Sequence, residues 1–134
     1  MKKRAVTAII LYGNKIVIGK KKIDSSKFLA GKWHIPGETV EKGESDTEAL
    51  MRGAKQELGL EIRVGRYICS STSPTSKRKV GWYECFSNTE KIVPSSDLED
   101  AKWIYKRDIL KHIDEEAINL WPKDVIKYFK IQPK

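Results

Sequence analysis

The sequence predicts an α/β or α+β sandwich, a β-sheet covered by helices on both sides. The prediction rests on a hairpin signal near the amino terminus, a capped amphipathic helix beginning at Ser45, and the segment Val80 to Phe86, which carries apolar or aromatic side chains on both faces. Strand side chains alternate between faces, so a strand apolar on both must be covered on both. In chain order, residues 4–12 and 15–19 are apolar runs around Gly13-Asn14 and read as two hairpin strands. Lys20 to Gly31 reads as a basic, serine-containing loop, and Trp33-His34-Ile35 as a short strand stopped by Pro36-Gly37. Ser45-Asp46-Thr47-Glu48 has capping-box spacing, in which the serine hydroxyl and the glutamate satisfy each other's orphan backbone donors. Leu50, Ala54 and Leu58 then form a core-facing stripe, and Gly59 is a natural C-cap. Strand segments carrying Ile62, Val64 and Ile68, then Val80, Trp82 and Phe86, flank a polar stretch from Ser70 to Ser76. Gly81, Tyr83 and Cys85 fall on the opposite face of the second. Ala101 to Tyr105 reads as a strand and residues 107–113 as a short helix. Lys123 to Phe129 reads as a final helix with Pro122 at its first turn.

The 134 residues are expected to form a single domain, 1–134, with 40% hydrophobic and 33% charged residues placing it among globular proteins. No apolar run approaches the roughly 18 residues of a membrane span, so no membrane partner is expected. Met1-Lys2-Lys3-Arg4 followed by apolar residues looks like the start of a signal peptide. No small-residue cleavage site follows, and a cytoplasmic location is expected. Cys69 and Cys85 lie in no metal-spaced pattern and read as buried free thiols. The net charge of +8 includes Lys2-Lys3-Arg4, Lys20-Lys21-Lys22 and Lys77-Arg78-Lys79, but none of these runs carries a nucleic-acid-binding motif. They read as solvated lysine-rich surface, and nucleic acid is not the expected partner.

The chemistry is concentrated in Trp33-His34-Ile35-Pro36-Gly37-Glu38-Thr39-Val40-Glu41-Lys42-Gly43-Glu44 and the helix ending Gln56-Glu57-Leu58-Gly59-Leu60. This segment resembles the box of the Nudix (MutT-like) hydrolases, G-x5-E-x7-R-E-U-x-E-E-x-G-U, where U is a bulky aliphatic residue. Glu44, Arg52, Glu57, Gly59 and Leu60 match without a gap. Trp33, Pro36-Gly37 and Gly43-Glu44-Ser45 add to the likeness. The resemblance implies a Nudix-like α/β/α sandwich with a mixed β-sheet between helices. It also implies a Mg²⁺- or Mn²⁺-dependent hydrolase of a nucleoside diphosphate linked to another moiety, of the NTP or nucleotide-sugar type. Many members of that family pair, so a homodimer is among the expected states.

The departures fall on the catalytic part of the box. Glu38 stands at the first glycine, Gly53 at the glutamate after the arginine, and Gln56 at the first glutamate of the final pair. Cleaving a pyrophosphate linkage concentrates charge on phosphate oxygens, which hard cations held by carboxylates neutralise. Carboxylates at i, i+3 and i+4 share one helix face and can converge on such an ion. Here positions 53, 56 and 57 read Gly, Gln and Glu, which thins that face.

The resemblance implies Gly37 (through its backbone carbonyl), Glu44, Gln56 and Glu57 as metal ligands, and Glu57, Glu44, Arg52 and Glu99 as catalytic residues. Arg52 is expected to pair with a carboxylate; Asp97, Glu99 and Asp100 precede the Trp103 strand, where the family often places a further acidic residue, and Glu99 is taken for that role. Glu38, Glu41 and Glu48 lie close in sequence and are candidates to compensate for the missing carboxylates, with an exposed loop or helix charge the commoner fate of each. Glu84, on an apolar strand face, needs a partner. His34 reads as a hydrogen-bonded structural residue. Trp33, Trp82, Tyr83 and Phe28 are candidates for nucleobase stacking, with core packing the commoner fate of each. Gly53 and Gln56 keep a non-catalytic nucleotide-binding or sensor module open as an alternative, and the +8 charge keeps a basic nucleic-acid-binding domain as a second.

Overall fold

A computed structural model describes residues 3–24, 29–73 and 76–130. The strands are β1 (Ala5–Tyr12), β2 (Lys15–Lys21), β3 (Trp33–His34), β4 (Gly37–Thr39), β5 (Ile62–Thr72), β6 (Lys79–Ser87) and β7 (Leu98–Tyr105). The helices are α1 (Asp46–Leu58), α2 (Ile109–His112), α3 (Glu115–Ile118) and α4 (Lys123–Lys130), with a 3₁₀ turn over Lys106–Asp108 before α2. The strands form one mixed sheet in the order β3-β2-β1-β6-β5, with β4 added on β1 and β7 on β2. β1 runs parallel to β6 and every other pairing is antiparallel.

β1 is central, and Val6 to Leu11 are buried throughout. Val6, Ala8 and Ile10 point to one face, where they meet Ala49, Leu50, Ala54 and Leu58 of α1. Ile9 and Leu11 point to the other, with Ile109, Ile113, Ala117, Val125 and Phe129 from the carboxyl-terminal helices. The continuous apolar run is therefore an α/β/α sandwich seen along one strand. Both cysteines are free and buried as expected, and burial pushes the Cys85 thiol up to about 12. No helix among the described residues is long and apolar enough to cross a membrane.

α1 has the ends its sequence requires. Glu48 N donates to Ser45 Oγ at 3.1 Å, and Ser45 N donates to Glu48 Oε1 at 2.9 Å, completing the capping box. Gly59 ends the helix in the left-handed region at φ 68°, with its N–H returned to helix carbonyls. Arg4 pairs with Asp46, and the Tyr83 hydroxyl donates to the same carboxylate, tying the first turn of α1 to β6.

The structure extends several expectations. β2 runs on to Lys21, β5 to Thr72, and β7 begins at Leu98. Two elements had no counterpart in the local pattern. Gly37, read with Pro36 as the stop after the 33–35 strand, instead opens β4 (residues 37–39), paired with β1 through Ala5↔Thr39, Val6↔Glu38 and Thr7↔Gly37. That ladder depends on a partner remote in sequence, and on Gly37, where a Cβ would lie 2.9 Å from Val6 O. α3 is one turn long, too short to show a helical period.

Ser45→Ala removes one cap hydrogen bond and leaves the Glu48 carboxylate with a weaker hold. The expected loss is about 1 kcal/mol of folding stability, read from urea unfolding with an unchanged m-value.

Candidate active site

Val40 to Ser45 connects β4 to α1, and Arg52, two turns into the helix, reaches back over it. Arg52 Nε donates to Glu44 Oε2 at 2.6 Å and Nη2 donates to Glu44 Oε1 at 2.9 Å, a two-pronged guanidinium–carboxylate pair. Nη2 also donates to the Thr39 carbonyl at 2.8 Å, and Nη1 to Gln56 Oε1 at 3.3 Å. Glu44 Oε1 further accepts from Glu41 N at 2.8 Å. The hydrogen bonds from Arg52 and from Glu41 N hold the Glu44 carboxyl down at about 2, and Glu44 raises the Arg52 guanidinium in turn. This cluster clamps β4, the loop and α1 together.

Beside the clamp lies a cleft of about 500 Å³. Gly37, Glu38 and Glu57 line it, together with the cations Lys21 and Arg78 and the indoles Trp82 and Trp121. Arg78 Nη1 donates to Thr39 Oγ1 at 3.0 Å, which anchors the guanidinium on β4. Trp82 is buried; its Nε1 donates to Ser71 Oγ at 3.0 Å and its ring meets Trp121 edge-on at 6.4 Å. Trp121 is half-buried and lines the cleft.

Of the residues implied as metal ligands or catalytic groups, Gly37 and Glu57 border this cleft, as do His34, Glu38 and Trp82 from the wider set of candidates. Glu44 and Arg52 are engaged with each other. Gln56 is exposed, with its amide oxygen on Arg52. Glu99 lies outside the cleft on exposed β7, 3.6 Å from Lys20 Nζ; Asp97, just before β7, borders the cleft instead. Strand alternation in β7 buries Leu98 and turns Glu99 outward.

Glu84 has the partners its position demanded: it accepts from the Tyr128 hydroxyl and lies 3.9 Å from Arg66 Nη2. His34 is buried, with Nδ1 3.2 Å from Lys32 O, and desolvation lowers its pKa to about 4, so it is neutral at pH 7. Tyr83 packs against Tyr67, and the Trp33 ring carries Lys102 Nζ at 4.6 Å. Phe28 lies outside the described residues.

Glu38, for which an exposed charge was the commoner expectation, stands on β4 with its side chain 19% exposed, against Gly53 of α1. The available signal was the pairing of departures: a glutamate where the box has glycine, and a glycine where it has glutamate.

Among the described residues no group of three or more His, Cys, Asp or Glu is arranged to hold a metal ion. Mg²⁺ does not require one, since it binds through one or two carboxylates, keeps several waters and shares substrate phosphates. Glu38 and Glu57, which border one cleft with Gly37, fit that demand.

A sequence model of the NUDIX domain matches residues 1–129. The chain belongs to the NUDIX family. It is 38% identical over 73 residues to the CTP pyrophosphohydrolase of Escherichia coli (strain K12), a match covering 54% of this chain and 53% of that protein. It is 24% identical over 106 residues to the NAD-capped RNA hydrolase NudC of Pseudomonas putida, covering 78% of this chain and 37% of that protein. The chain thus spans about half the length of the first relative and little over a third of the second. The crystal structure of a NUDIX hydrolase from Nitrosomonas europaea superposes with a TM-score of 0.78 over 96% of this chain and 70% of that one, at 15% identity, a likeness of fold.

The Glu44 clamp has a pH signature. Its folded pKa, about 2, lies below its ordinary 4.5, so the stabilisation is complete above 4.5 and is lost as pH falls towards 2. Stability measured by denaturant across that window is expected to fall more steeply for the native protein than for Glu44→Gln; parallel curves count against the clamp.

Proposed function

We propose that this chain is a Mg²⁺- or Mn²⁺-dependent hydrolase of a nucleoside diphosphate linked to another moiety, of the nucleoside triphosphate or nucleotide-sugar type. The observation that carries the proposal is one cleft combining the box carboxylate Glu57 with the cations Lys21 and Arg78 and with Trp82 and Trp121. These are the three chemistries a nucleotide presents: metal-held phosphates, residual negative charge and an aromatic base. The names of the relatives, a CTP pyrophosphohydrolase and an NAD-capped RNA hydrolase, support a nucleotide-derived substrate.

In this reading Glu57 and the Gly37 backbone oxygen would hold the ion, which when bound neutralises phosphate oxygens and polarises the phosphorus. Glu44 and Arg52 position the end of β4, the strand that carries Gly37, through the Thr39 carbonyl. Gln56, with its amide oxygen on Arg52, supports Arg52 rather than the ion. Lys21 and Arg78 meet phosphate oxygens, and Trp121 offers a face to the base. Water forms a new bond to phosphorus as a bridging P–O bond breaks, and its proton leaves to a carboxylate. Asp97, which borders the cleft, suits that role better than the outward-facing Glu99. The products are a nucleoside monophosphate and pyrophosphate or the phosphorylated remainder.

A panel of nucleoside triphosphates, nucleotide sugars and dinucleotides, incubated with Mg²⁺ or Mn²⁺, is expected to show phosphate release from at least one class. Glu57→Gln lowers that rate on the order of a hundredfold with the melting temperature retained. Background rates over the whole panel sink the proposal, and ligand-induced thermal stabilisation without turnover replaces it with a binding module. For the best substrate, Trp121→Ala is expected to raise KM about tenfold with a smaller change in kcat, as loss of a stacking contact does.

A further inference from the structure

We infer that Glu38 supplies, from β4, the metal-binding carboxylate that α1 lacks at position 53. The assignment rests on the metal-dependent reading above and deepens it.

The observation is steric. A Cβ on Gly53 would lie 3.0 Å from Glu38 Cβ, 3.1 Å from Cγ and 3.2 Å from Oε2. The Glu38 side chain therefore occupies the volume into which a side chain at position 53 would grow, and its carboxylate lies beside where that side chain would begin. Glutamate and glycine have changed places between strand and helix, and the two changes require each other. Glutamates at 38 and 53 together would crowd one volume and place like charges side by side, whereas glycines at both would leave it empty. The chain carries the one other combination that keeps a single carboxylate there.

Position 53 is one helical turn before Glu57, on the same face of α1. A small void of about 10 Å³ is bordered by Glu38, Gly53, Glu57 and Gly37, and otherwise by apolar residues such as Ile10 and Leu50, so Glu38 and Glu57 meet at one place on the α1–β4 contact. Glu38 Oε1 accepts from Thr39 N at 3.1 Å, which holds the side chain in place on β4. Oε2 stands 3.6 Å from Arg52 Nη1, beyond a hydrogen bond, while Glu44 holds the same guanidinium at 2.6 and 2.9 Å. Arg52 already has its carboxylate in Glu44. Glu38 keeps only the longer ion pair with Arg52, stands on the cleft wall with Glu57 and Gly37, and with Glu57 makes up the two carboxylates that Mg²⁺ commonly takes from a protein.

The test is Mn²⁺ binding, followed by the spin-resonance signal of the free ion, on the full chain, on Glu38→Gln and on the exchange variant Glu38→Gly/Gly53→Glu. Glu38→Gln keeps the shape and the Thr39 hydrogen bond, and is expected to weaken Mn²⁺ binding about tenfold or more. The exchange variant, which returns the carboxylate to the helix, is expected to bind within about threefold of the native chain. Gly53→Glu alone is expected to lower the melting temperature, because two side chains then claim one volume. Native-like Mn²⁺ affinity in Glu38→Gln overturns the assignment and leaves the hydrolase reading standing; a fall in melting temperature with unchanged affinity would mark Glu38 as a mere partner of Arg52. Absence of Mn²⁺ binding by the native chain, with or without a nucleotide, overturns both. If melting shows Glu38→Gln unfolded, the exchange variant decides: folded and binding supports the assignment, folded without binding overturns it.

Discussion

The Arg52 guanidinium is the point on which the site depends. It takes both oxygens of Glu44, the Thr39 carbonyl and the Gln56 amide, and so joins the end of β4, the following loop and the second turn of α1. Those elements carry Gly37, Glu38, Gly53 and Glu57. A planar, always-charged fork with fixed donor directions suits this task, and a lysine ammonium would not reproduce it. The loop has no regular hydrogen-bond ladder of its own, so its path rests on the clamp together with the Val40 N to Arg4 O bond at 2.9 Å and the left-handed Gly43.

The sandwich supplies the rest of the geometry. β1 is buried on both faces, with α1 on one and the carboxyl-terminal helices on the other. The cleft reaches both layers: Glu57 comes from α1, while Trp121 and Ala117 come from the opposite helical layer. Under the proposed function, phosphate chemistry and base recognition would fall to separate parts of the chain, held in register by the sheet between them. The positive charge of the chain takes on a local meaning at Lys21 and Arg78, which face the cleft, while other lysines form surface ion pairs such as Lys3–Glu41 and Lys15–Glu90. Exposed pairs of that kind contribute little to stability.

Legibility followed the range of the interactions. The α1 caps, the β1–β2 turn at Gly13 and the double-faced β6 rest on neighbouring residues or on simple periodicity, and the structure has each of them. β4 was not legible, because its three residues become a strand only against β1. Glu99 and Asp97 could not be ranked without the point at which β7 begins. Glu38 was the largest misreading, since nothing within a few residues of it shows that Gly53, on the facing helix, leaves its side chain a place to go.

The sequence by itself determined the family and the capped box helix, because each is written in spacing along one stretch of chain, and the resemblance to that family implied the carboxylate–arginine pairing. Tertiary structure alone decided which carboxylates share a cleft. Gly37, Glu38 and Glu57 are brought beside Lys21, Arg78 and Trp121 by strand pairing and by helix packing on opposite faces of the sheet. The order of residues along a chain does not state how close side chains from a strand and a helix will stand, and that distance is what turned Glu38 from a surface charge into the partner of Gly53.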